Sequence, residues 1–218
     1  MRTQVVSVGP LTSASANNIA TSQSVSGATA VTLNGATVSS GVATLDHARR
    51  VGITSAGNDS GITFTLTGTD WAGNAVSEVL AGANAGVATS ILDYLTISSI
   101  VTSNSTASTI TVGTTAVAGS PWVRFDEYSF GPAGVQFSVS GTVNYTLQTT
   151  FDDPNGIDYN TAIARTAVVW DTSYSVIINQ TVTQSATLTT VPRYARVIMN
   201  SGSGTVTASF TQYAVAPR

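Results

Sequence analysis

The chain has 218 residues, of which 9% are charged, a net charge of −3, and neither cysteine nor lysine. That length suits one large β-domain or two of roughly 100 residues. The missing cysteine excludes disulfides and thiolate metal sites, and the lack of a basic run argues against nucleic-acid binding.

Residues 1–27 are rich in Ser, Ala, Thr and Asn, with few large side chains to bury. They read as an extended N-terminal arm or an edge segment. The apolar part of this stretch is broken by Gln4, Ser7, Gly9 and Pro10, so it does not read as a signal peptide. In "AVTLNGATV", Asn34-Gly35 lies between short alternating runs and predicts a hairpin turn, since both residues tolerate positive φ. Ile62, Phe64 and Leu66 alternate with Thr63, Thr65 and Thr67, which predicts a strand with one apolar and one hydroxyl face. "TDWAGN" turns the chain and "AVSEVLAG" returns as its partner. "ILDYLTISSIV" and "STITVG" read as two more strands, because β-branched residues dominate the second half of the first.

Small residues and Pro121 in "TTAVAGSPWVRFDE" mark a domain boundary. Beyond it, "GVQFSVSGTVNYTLQTTF" reads as a hairpin about Ser140-Gly141, with Val135, Phe137 and Val139 on one arm and Val143, Tyr145 and Leu147 on the other. "AVVWDTSYSVI", "ATLTTVPRYARVIMN" and "GTVTASFTQYAV" supply further strands. Strands at 8–12-residue spacing, without an alternating helix rhythm, predict an all-β fold. The expected organisation is an N-terminal arm (1–27) followed by two antiparallel, jelly-roll-like β-sandwiches (28–118 and 119–218).

The catalytic inventory is thin. His47 is the single histidine, with Asp46 beside it. "GNDSG" at 57–61 lacks the second glycine of a serine-protease nucleophile loop, and no G-x-S-x-G elbow occurs. Asp152, Asp153, Asn155 and Asp158 in "FDDPNGID" could offer oxygens to calcium, but the spacing does not fit an EF-hand and equally describes a turn. No phosphate loop or dinucleotide fingerprint appears. A non-enzyme without cofactor or metal is expected. Arg49, Arg50 and Arg124 near the starts of the two sandwiches read either as strand-edge charges or as groups that meet acidic partners. Trp71, at a predicted loop tip, reads as an intersubunit anchor, a lid on the core, or a sugar-stacking ring. Trp122 carries the same interface expectation.

"RRVGITSAGNDSGITFTLTGTDWAGNAVSEVLAGANAG", with "ILDYLTISSIV" and "ITVG", resembles a module of bacteriophage virion proteins. "VSGTVNYTLQTTFDDPN" and "RVIMNSGSGTVTASFTQ" resemble a second such module, and together they cover most of residues 45–213. The resemblance implies a virion structural protein: a decoration or cement protein on the head exterior, or alternatively a tail, collar or head fibre component that binds host glycans. Its implied partners are copies of itself, as dimer or trimer, and the major capsid protein or other virion proteins. Neither nucleic acid nor membrane is expected as a partner. No apolar run approaches the roughly 20 residues that span a bilayer. The expected location is the particle surface, after synthesis in the host cytoplasm.

Overall fold

A computed structural model describes residues 2–126, 131–154 and 177–212. The described residues form an all-β, antiparallel structure with fifteen strands and no α-helix. Its contacts divide the chain into two units. An inserted unit holds Thr12–Ala118, and a terminal unit combines the residues up to Leu11 with those from Gly119 onward.

The inserted unit contains β2 (Ser15–Gln23), β3 (Val38–Ser39), β4 (Val42–Ser55), β5 (Thr63–Thr69), β6 (Ala75–Ala81), β7 (Val87–Thr89), β8 (Tyr94–Thr102) and most of β9 (Ile110–Gly119). They run in the order β2-β9-β4-β8-β5-β6, with β3 and β7 also on β4. β4 makes the sheet curl. On one side it pairs first with β8 (Ala43 opposite Ile97) and then with β7 (Gly52 opposite Thr89). On the other it pairs with β3 and then β9. The change of partners coincides with a break in register: pairing with β8 shifts between Thr44 and Arg49 and pairing with β9 between Arg49 and Val51, where Ala48 and Arg49 are buried consecutively. Such a bulge bends a strand and increases its twist. The curled sheet encloses Ile19, Leu45, Ile53, Phe64, Leu66, Tyr94, Ile97, Ile100 and Val112. In β5 the alternation of Phe64 and Leu66 with threonines is the observed burial pattern.

The terminal unit contains β1 (Arg2–Val8), β10 (Val123–Arg124), β11 (Ala133–Ser140), β12 (Val143–Thr150), β13 (Gln184–Leu188), β14 (Tyr194–Gly202) and β15 (Thr205–Gln212). One sheet runs β1-β15-β11-β13; in the other, β14 lies between β12 and β10. Phe137 of the first sheet meets Tyr145 of the second at 4.9 Å between ring centroids, and Phe125 meets Phe210 edge-on at 5.8 Å.

Two expectations change. β11 and β12 are not a hairpin: β11 bonds to β13 and β15, whereas β12 bonds to β14. The link at Ser140-Gly141 therefore crosses from one sheet to the other. The β14–β15 link crosses beside it, and the Ser203 and Gly204 amides both donate to the Thr142 carbonyl, at 3.0 and 2.9 Å. Asn34-Gly35 is not a hairpin turn either. The two-residue turn is Ser40-Gly41 (φ 51° and 80°), between β3 and β4. Asn34 instead accepts bonds from the amide and hydroxyl of Thr21, and the Gly35 amide donates to Ile19. Within the first 27 residues, β1 pairs with β15 along its whole length at a sheet edge, and β2 pairs with β9. The expected strand at "AVVWDTSYSVI" falls almost wholly outside the described residues.

Candidate interaction surface

The β5–β6 loop presents the one large aromatic of the sequence's "TDWAGN". Asp70 organises it: its carboxylate accepts the Ala72 and Asn74 amides, both at 2.9 Å, and the Asn74 side chain at 3.2 Å. The Gly73 amide donates back to the Asp70 carbonyl, and Gly73 sits at φ 81°. This is a tight turn closed by a glycine in the left-handed region. It holds Trp71 out at 43% exposure, with one ring face stacked at 6.3 Å on His47 of β4. Trp71 is thus part lid and part surface.

His47 neighbours an ion pair whose arginine is buried. Arg49 is fully buried, at 0% exposure. Its guanidinium donates to the carbonyls of Thr115 and Thr12, the Thr12 hydroxyl, and both oxygens of Asp46 at 3.1 and 3.2 Å. Partial burial pushes the Asp46 carboxyl up. The Thr12 amide and hydroxyl and Arg49 together overcome this and hold it below its ordinary 3.8. Burial lowers the His47 pKa, against the nearby Asp46 charge and with that of Arg49, so the imidazole is neutral at pH 7. The expectation of a strand-edge or partner-facing Arg49 therefore meets a buried arginine that ties β4 to the Thr12 and Thr115 segments of its own unit.

Arg50 faces the opposite way, 3.7 Å from buried Asp93. Nearby Glu78, buried in β6, accepts the Ile91 and Leu92 amides at 2.7 and 3.0 Å and so anchors the 90–93 turn. Burial raises the Glu78 pKa, while those amides and Arg50 oppose it. Burial, with the charges of Glu78 and Asp93, pushes the Tyr94 phenol far above its ordinary value. Glu78 was missed at the sequence level, although "AVSEVLAG" places it in phase with inward Val76 and Leu80.

In the terminal unit, Trp122 lies under the Arg196 guanidinium, 4.4 Å from the ring centroid, and Arg196 donates to Gln148 at 3.0 Å. Arg124 is exposed, and its carbonyl accepts from Gln4 at 3.2 Å. Asp153 stands 3.9 Å from Arg193 and hydrogen-bonds Tyr194. The Asp152 amide donates to Thr150 Oγ1 at 3.0 Å, as in a strand-ending turn. Asn155 and Asp158 lie outside the described residues, among which no group of three or more acidic, His or Cys side chains gathers to hold a metal. The outer face of β11, β13 and β15 carries a shallow groove of about 490 Å³ lined by Gly134, Gln136, Ser185, Thr187, Ser209 and Thr211. It bears hydroxyls and an amide but no charge.

No family model, no curated protein and no solved structure matches this chain.

Proposed function

We propose that this chain is a non-enzymatic structural component of a bacteriophage virion. In this reading it is built of β-sandwich, jelly-roll-like domains and decorates the head exterior. The observation that carries the reading is the use made of the ionisable groups. Arg49 and Asp46 bind each other and backbone, Glu78 anchors a turn, Asp153 meets Arg193 and Tyr194, and the lone histidine packs under Trp71. What remains outside is hydroxyl-rich, sparsely charged and chemically inert, drawn from 27 serines and 35 threonines. Such a surface suits a protein that repeats weak contacts many times over a lattice, where multivalency supplies the affinity. The resemblance of residues 45–213 to virion modules points the same way.

The test is to label the chain on purified particles and to compare particles with and without it. Many copies on the head, and heads that are less heat-stable when it is missing, are the expected result. Its absence from particles refutes the reading. The exposed face of Trp71 supports a second reading, a fibre component that stacks on host sugars. A glycan array with the purified protein and with Trp71→Ala decides that point.

A further inference from the structure

β6 forms the outer edge of the inserted unit's sheet, and among the described residues no strand pairs with its free side. The Gly82 amide donates to Ile62, and the Asp70 amide to Asn74. With the unbroken register from Thr63–Ala81 to Thr69–Ala75, these bonds place the closed pairs of the ladder at even-numbered residues. The N–H and C=O groups of Ala75, Ser77, Val79 and Ala81 therefore point away from β5, into the open edge.

Natural sheets guard such edges with charge, proline, bulges or short length. β13 is five residues long, the β2 register breaks twice, and β1 is tied through Gln4 to the Arg124 carbonyl. β6 has seven residues, no bulge, no proline and no charge among its outward side chains. Its one charge, Glu78, turns inward to the 91–92 amides. On the outer face Val79 is 58% exposed and Val101, across Thr65 in register, is 39% exposed.

We propose that β6 is a self-association edge: two copies join β6 to β6, antiparallel, with Val79 on the two-fold axis. The register follows from the side chains. Centring on Glu78 would set two carboxylates opposite each other. Centring on Ser77 would leave Val79 facing the partner's Ala75. Centring on Val79 sets it against the partner's Val79 and Ser77 against the partner's Ala81. The exposed row Val101–Thr65–Val79 then continues unbroken into its copy. In this register no charged side chain of β6 faces its own copy, since Glu78 lies opposite the partner's Leu80, and a two-fold contact of this kind closes as a dimer. The inference stands whether or not the virion reading holds.

Sedimentation velocity over a concentration series tests it. The wild-type chain is expected to show a concentration-dependent dimer, and Val79→Lys to weaken it by about tenfold or more by setting two cations face to face. The urea midpoint of diluted Val79→Lys should match wild type, because the side chain lies outside the core. In this cysteine-free chain, Val79→Cys should give a disulfide-linked dimer on oxidation, since opposed residues of a hydrogen-bonded pair lie within about 5.5 Å between Cα atoms. Val87→Cys, equally exposed on another strand, should stay unlinked. A chain that is monomeric at every concentration overturns the proposal. So do dimers that Val79→Lys leaves equally tight and Val79→Cys does not link.

Discussion

Arg49 is a single side chain on which a strand bend depends. Its buried donors meet two carbonyls, a hydroxyl and a carboxylate, which leaves the guanidinium itself well partnered. Asp46 is 23% exposed and keeps the Thr12 amide and hydroxyl as partners, so the cost of removing Arg49 lies mainly in the hydrogen bonds it makes to carbonyls and is about 1–3 kcal/mol. Arg49→Met is therefore expected to lower the denaturant midpoint by that order with an unchanged slope. The sequence conceals this role. Two adjacent arginines look like surface charge, and only the loss of alternation between Leu45 and Val51 hints that one of them turns inward. His47 adds a pH dependence of definite sign. Its folded pKa is below the ordinary 6.5, so its contribution to stability is full above that value and is lost as pH falls through the lowered one. Trp71 emission, quenched by an imidazolium against the ring, should titrate with a midpoint below 6.5. That step should vanish in His47→Gln, and a midpoint at or above 6.5 contradicts the packing described. Glu78 acts in the opposite direction: its contribution is full below 4.5 and is lost as pH rises through its raised folded value.

At the scale of elements, the two sheet-crossing links of the terminal unit depend on close backbone contact. A Cβ on Gly204 would stand 2.2 Å from the Ser140 carbonyl oxygen and 2.8 Å from the Gly141 carbonyl carbon. Both neighbours are backbone, so Gly204→Ala must push the links apart. A loss of about 1–3 kcal/mol is expected from overpacking at such a site, read as a lower urea midpoint; Gly134→Ala, whose Cβ meets nothing within 4 Å, is the control. These links also show what alternation can and cannot tell. The periodicity of Val135, Phe137 and Val139, and of Val143, Tyr145 and Leu147, correctly marks two strands and their inward faces. It does not say whether the strands bond side by side or face each other across a core, since both bury the same residues. Turn chemistry was equally ambiguous at Asn34-Gly35, where long-range bonds to Thr21 and Ile19 claim the groups that a hairpin would have used. By contrast, β5, β6 and the "TDWAGN" loop were legible, because Asp70, Gly73 and the flanking threonines are all local signals.

At the scale of the whole molecule, the absence of lysine leaves trypsin only arginines, and the structure buries two of the most central ones, Arg49 and Arg196. Cleavage there requires the surrounding strands to open, so its rate should follow global unfolding and rise with urea. Arg124 has an exposed side chain but a backbone held in β10 against β14, so cleavage there should need only local opening of that short strand and should outpace cleavage at Arg49. Rapid native cleavage at Arg49 would contradict the buried placement. Trp71 and the β6 edge both belong to the inserted unit. The pairing of Arg2 with Gln212 carries a further meaning for biogenesis. A ribosome releases β1 first and β15 about two hundred residues later, a wait of roughly 10–40 s at ordinary elongation rates. During that interval the inserted unit has its strands in hand and can fold, while β1 must stay uncommitted beside it. A strand made before the inserted unit finds its place only after that unit is complete.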